Sequence, residues 1–170
     1  MGKGLYPDLW VRSAYDIDYE GLMERGLAGV IFDIDNTLVL PDEPCDDRAR
    51  ALFEKLHGLG LKTCILSNNT GKRASDFAGE AGSLVVTGAL KPFPGKYREA
   101  VEKLGLLPSQ VFFVGDQIYT DIWGANNAGL FSVLTVPFTY REEPQIVLKR
   151  KLEKPVIAGL KKRFKAPLQG

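Results

Sequence analysis

Five short apolar runs constrain this chain more than any other feature. They are Gly29 to Asp33, Leu61 to Leu66, Leu84 to Thr87, Val111 to Val114 and Phe131 to Val136. Apolar throughout rather than alternating, they read as strands covered on both faces. The segments between them, near 47–58, 71–81, 95–105 and 120–128, have helix length, and the alternation predicts an α/β fold with a doubly wound parallel sheet. A chain of 170 residues, 45% of them hydrophobic, can bury a core of its own as one domain.

Two further amphipathic stretches flank this body. Ile17, Leu22 and Met23 before Gly26 predict a helix within residues 1–26 packed on the sheet edge. Leu148, Leu152, Val156, Leu160 and Phe164 recur every fourth residue and predict a second helix, which Pro155 should kink or interrupt. Charge is divided unevenly, with 14 Lys and Arg against 20 Asp and Glu up to residue 148, and 8 against 1 from 149 to 170. The basic tail (Lys149, Arg150, Lys151, Lys154, Lys161, Lys162, Arg163, Lys165) could meet an anionic membrane, RNA or an acidic partner, or form a solvated helix face.

No apolar stretch reaches the roughly 18 residues of a membrane span, and Met1 to Tyr6 lacks the core of a secretory signal. Cys45 and Cys64 are too few for a disulfide framework or zinc knuckle, so a reducing, cytoplasmic setting is expected, with any membrane contact peripheral.

Doubly wound sheets bind ligands beyond the carboxyl ends of their strands. Four runs end there in reactive groups: Asp33-Ile34-Asp35-Asn36-Thr37, Ser67-Asn68-Asn69, Lys91-Pro92, and Gly115-Asp116-Gln117 with Asp121 beyond. Asp33, Asp35 and Asp116 at one edge would repel one another unless a cation lay between them, and an all-oxygen site suits Mg²⁺. Ser67 and Lys91 supply a hydroxyl donor and an ammonium, the groups that hold a phosphoryl oxygen during its transfer. Rival chemistries lack their parts. His57 is the only histidine and stands near no Gly-x-Ser-x-Gly elbow, and Gly71-Lys72 and Gly95-Lys96 lack the rest of a P-loop.

These four groups, in this order, resemble motifs I to IV of the haloacid dehalogenase-like phosphohydrolases. Pro7-Asp8, Asp16-Ile17-Asp18, Ser67-Asn68-Asn69, Thr120-Asp121 and Gly124-Ala125-Asn126 before Gly129 bring the resemblance closer to the class IIIA, YqeG-type group. The resemblance implies a Rossmann-like fold with Asp33 as nucleophile, Asp35 as general acid and base, and Lys91 as charge compensator. It implies Mg²⁺ held by Asp33, the carbonyl of Asp35 and Asp116, with Asp121 orienting the metal's waters. Backbone N–H groups of Asn36 and Thr37 and the side chain of Ser67 would face the phosphate. Asn68 and Asn69 would touch substrate or cap the next helix.

Only 25 residues separate Asp35 from Leu61 and 21 separate Asn69 from Lys91, too few for a cap of roughly 50 residues. An open site favours a phosphate ester displayed on something large. Phosphatidylglycerophosphate is the specific candidate that this branch implies. The alternatives are a soluble phosphate ester or phosphoprotein, or a phosphatase-like binding module docking on RNA, the ribosome or a protein partner. Phe93, Tyr97, Gln117, Tyr119 and Trp123 would flank the crevice, to pack or to bind.

Overall fold

In the computed structural model, which describes residues 3–139 and 144–164, six parallel strands form one sheet. They are β1 (Leu9–Val11), β2 (Gly29–Phe32), β3 (Lys62–Leu66), β4 (Leu84–Val86), β5 (Val111–Gly115) and β6 (Phe131–Thr135). Their spatial order is β1-β6-β5-β2-β3-β4. From β2 the chain winds outward through β3 to β4, then returns to β5 on the other side of β2 and continues outward to β6. The direction of winding reverses between β2 and β5, and the crevice beyond that pair is where such a sheet opens.

The helices are α1 (Tyr19–Glu24), α2 (Asp47–Gly58), α3 (Lys72–Ala81), α4 (Gly95–Leu104), α5 (Trp123–Asn127) and α6 (Pro144–Phe164). Successive residues of a strand face opposite sides. Val30 and Phe32 of β2 therefore join Phe53 of α2 and Phe77 of α3 in one core, while Ile31 joins Tyr97 and Val101 of α4 in another. Both faces are covered, which is why these runs are apolar without alternation. Asp46 caps α2, its carboxylate accepting from the Ala49 N–H at 2.7 Å.

Three expectations need correction. The segment 1–26 is not one edge helix: β1 pairs with β6, a 3₁₀ turn follows at Ala14–Asp16, and only α1 is helical. A three-residue strand carries no periodicity of its own and is defined by its partner. This N-terminal segment is tied down further by Asn126, which donates to the carbonyls of Gly4 and Tyr6 at 2.9 Å each, and by Asp8, which accepts from the Ser132 N–H at 2.9 Å. Second, the stretch expected as one helix over 120–128 begins as a π-turn at Ile118–Ile122 before α5.

Third, α6 runs through Pro155 without interruption. Pro155 is exposed, so the carbonyl that loses its helical partner faces solvent and water can satisfy it. The fourfold apolar repeat is only half used. Each step of four residues turns about 40° around a helix, so Val156, Leu160 and Phe164 pack on the body while Leu148 and Leu152 are rotated into solvent. Residue Lys165 and the rest of 165–170 lie outside the described residues, as do Met1 and Gly2. No helix among the described residues is long and apolar enough to cross a membrane.

Candidate active site

β2 and β5 run side by side in register, Phe32 opposite Val114, so Asp33 and Asp116 leave the sheet next to each other. Asp121, from the turn after β5, completes the group, and carboxylate oxygens of Asp33, Asp116 and Asp121 lie within 4.8 Å of one another. Gly115 makes this possible: a Cβ there would stand 2.5 Å from the Asp121 carboxylate. Asp121 also accepts from the Asp116 and Gln117 N–H groups at 3.2 and 3.1 Å, which holds the turn closed around the site.

Lys91 is the internal counter-charge. Its side chain is 2% exposed, and its ammonium donates to Asp33 at 2.7 Å and to Asp121 at 2.9 Å. The Asn68 side-chain oxygen accepts from the Lys91 N–H at 2.9 Å and so fixes the backbone that carries the ammonium. Burial pushes the Asp33 carboxyl up to about 7, with Lys91 pulling it down and Asp121 adding to the rise. Burial drives Asp116 well above the carboxylate range in spite of a neighbouring arginine. For Lys91 burial disfavours the charge, and Asp121 and Asp33 more than offset it, leaving the ammonium above its ordinary range. Crowded, buried, all-oxygen donors whose ionised forms are disfavoured fit a hard divalent cation.

The loop after β2 differs from its expected form. Asn36 takes a positive φ of 60°, a conformation asparagine tolerates better than most residues. The N–H groups expected to face phosphate are already bonded, that of Asn36 to Val39 at 2.8 Å and that of Thr37 to Ile34 at 3.1 Å, because the loop closes on itself. The Asn36 side chain accepts from the Thr139 N–H, and the Thr37 hydroxyl donates to Asp116 at 3.1 Å. Thr37 thus meets the site through its side chain.

Asp35 does not join the three converging carboxylates, whose third member is Asp121. Half-exposed, its carboxylate meets the Arg73 guanidinium at 2.8 Å and the Asp42 N–H at 3.1 Å. Arg73 in turn donates to the Glu43 carbonyl, fastening α3 to this loop. The carboxylate is drawn outward because the cation available to it stands on α3 and the central one, Lys91, is already shared. Ser67 accepts from the Asn69 N–H at 3.1 Å, and Asn69 accepts from the Gly71 N–H at 2.7 Å, closing the turn that leads into α3; Gly71 is the N-cap residue of that helix, and no side chain caps it. Tyr97 is fully buried and bonds the Thr120 carbonyl, so it packs. Phe93 and Trp123 are exposed.

Two residues of α6 reach the site without having been expected there. Arg150, read from sequence as one more charge of the basic tail, contacts the Asp116 carboxylate and donates to the Asp116 carbonyl at 2.8 Å. Glu153, buried, accepts from the Ile118 N–H at 2.7 Å. The lone acid among eight bases was the available signal, since a buried carboxylate needs a specific partner.

A family profile for haloacid dehalogenase-like hydrolases matches residues 39–129. The Bacillus subtilis (strain 168) protein described as "Probable phosphatase YqeG" is 32% identical over 164 residues, which cover 96% of this chain and 95% of that protein. The chain belongs to the haloacid dehalogenase-like hydrolases. Within them this hydrolase stands with the class IIIA, YqeG-type phosphatases. It is also 32% identical to the chloroplastic/mitochondrial phosphatidylglycerophosphate phosphatase 1 of Arabidopsis thaliana, over 86% of this chain and 45% of that protein, so the hydrolase spans less than half of that relative's length. The cobalt-bound deoxy-D-mannose-octulosonate 8-phosphate phosphatase of Haemophilus influenzae shares its fold, with a TM-score of 0.50 at 16% identity over 66% of this chain and 80% of that one. No cap interrupts it: between Asp35 and β3 stands α2, and between Asn69 and Lys91 stand α3 and β4.

Proposed function

We propose that residues 1–170 form one phosphatase domain that hydrolyses a phosphomonoester presented by a large or surface-held substrate, with phosphatidylglycerophosphate as the specific candidate. The observation that carries this reading is the Asp33, Asp116 and Asp121 cluster with Lys91 buried inside it. The Arabidopsis relative's substrate supports the choice of lipid, and the absence of a cap between the motifs supports a large one.

Asp33 is the nucleophile: one of its carboxylate oxygens bonds to phosphorus as the bond from phosphorus to the leaving oxygen breaks, giving an aspartyl phosphate. Asp35, whose carboxylate must first turn inward from Arg73, gives its proton to that oxygen, then takes one from the water that attacks phosphorus and releases Asp33. Lys91 compensates charge that accumulates as two anions meet. Ser67, whose hydroxyl accepts from the Asn69 N–H and keeps its own proton to give, would donate to a phosphoryl oxygen, while Thr37 acts by holding Asp116 and Asn68 by holding Lys91. Asp33, Asp116 and the carbonyl of Asp35 would hold Mg²⁺, with Asp121 behind them; bound there, it would neutralise the transferring phosphoryl group.

The test is release of inorganic phosphate from phosphatidylglycerophosphate in mixed micelles, with and without Mg²⁺, for the wild type and Asp33→Asn, with an aryl phosphate alongside. Lipid turnover that disappears in the variant and on metal removal is the expected result. Turnover of the aryl phosphate alone would reject the lipid, and turnover of neither would favour a binding role.

A further inference from the structure

Beside Asp116 a cavity of about 560 Å³ opens between α6 and the ends of β1 and β6, within the ~300–1,000 Å³ common for ligand sites. Its inner wall is apolar, made by Trp10, Ile118, Leu134 and Pro137. α6 forms the outer wall with Val147 and Ile157, and the same helix sets Arg150, Lys151, Lys154 and Lys161 around it. The acids here are Asp116 and Glu153; Arg150 engages the first and the Ile118 N–H the second. The cavity therefore combines hydrocarbon walls with a cationic border on which Lys151, Lys154 and Lys161 have no ion-pair partner among the described residues, and one end of it is Asp116, a candidate metal-holding carboxylate.

We propose that this cavity seats the glycerol and proximal acyl segment of a single anionic glycerolipid whose phosphomonoester lies at Asp33. The inference rests on the phosphatase reading above and adds the place where that substrate is held. Apolar walls next to lysines match a molecule whose hydrocarbon adjoins a phosphodiester. A small sugar phosphate would leave those walls dry and its hydroxyls without partners. α6 is seated on the body by Leu160 and Glu153, both buried, so the cavity has a defined outer wall.

Trp10 lines the cavity and is itself buried, whereas the second tryptophan, Trp123, is 40% exposed. Trp10 fluorescence in a Trp123→Phe background reads occupancy without turnover. Dihexanoyl phosphatidylglycerol, kept below its micelle concentration so that no lipid surface is present, should give a saturable change. Glycerophosphoglycerol, which lacks acyl chains, should give none, and dihexanoyl phosphatidylcholine should bind at least several-fold more weakly. Val147→Glu and Lys154→Glu, on exposed or half-exposed positions of α6, should lower the ratio of lipid to aryl phosphate turnover at least tenfold, chiefly through KM, with unchanged melting temperatures.

Wild-type lipid turnover with no Trp10 response, with an equal response to glycerophosphoglycerol, or with wild-type ratios in both variants would overturn the cavity and leave the phosphatase reading standing. A Trp10 response to a short RNA in place of lipid would overturn it in favour of a nucleic-acid surface. No lipid turnover by the wild type would overturn both.

Discussion

The centre of the site and its rim are built on different terms. At the centre, Asp33, Asp116, Asp121 and Lys91 are placed at the ends of neighbouring strands, and Lys91 answers Asp33 and Asp121 within the sheet's own loops. At the rim, Arg150 and Glu153 arrive on α6, a separate helix docked through Leu160. The centre costs buried charge and is held rigidly, while the rim is attached by a few contacts and lies open on one side. Chemistry common to a family belongs in the first kind of structure, and choice of substrate belongs in the second.

Replacing Lys91 by Met tests this contrast most severely. It leaves two buried carboxylates facing each other, a loss of about 3–5 kcal/mol by urea denaturation, and phosphate release should fall at least about 10²-fold. Stability within 1 kcal/mol of wild type would mean that the centre is not held by its charges.

A comparable effect is expected from pH in chelator-treated protein. Asp33 keeps its proton up to about 7 in the folded state, while in the unfolded chain it ionises near 4. The folded state binds more protons between those values, so this group's contribution to stability falls as pH rises from 4 to 7 and is level above. Urea midpoints of the wild type relative to Asp33→Asn should decline across that window, and parallel curves would contradict the assignment.

The last change belongs to the rim. Arg150→Met removes a cation that competes for Asp116 and leaves that buried carboxylate without its counter-charge, a loss of about 3–5 kcal/mol. Calorimetric titration of the folded variant should show Mg²⁺ binding tightened by at least about tenfold, the ion taking the place of the lost cation. Weaker binding would make Arg150 a support of the metal site and erase the distinction between centre and rim.

The same division governs what can be read from residues alone. Strands β2, β3 and β5 are long, apolar and bounded by polar residues, so the sheet and the residues that leave its edge were legible, and α2 begins and ends where expected. Lys91 could be named because it follows a strand. Arg73, Arg150 and Glu153 could not, because their partners stand 38, 34 and 35 positions away and nothing local distinguishes a docked arginine from a solvated one. The outward turn of Asp35 was hidden for the same reason, since it follows from the position of Arg73.

The pairing of β1 with β6 has a consequence for how such a molecule is made. Of the six strands the one made first, Leu9–Val11, has its neighbour at Phe131–Thr135, more than a hundred residues later in synthesis, and the Asn126 and Asp8 bonds that fasten the segment around β1 join the same two regions. Until the chain has grown past them, its oldest strand has nothing to join and its ends stay apart. A product arrested before β6 would carry Asp33, Lys91 and Asp116 yet keep a loose, protease-sensitive start. In this fold the residues of β1 become resistant to cleavage only once β6 has been made, so their protection is a record that the sheet is complete.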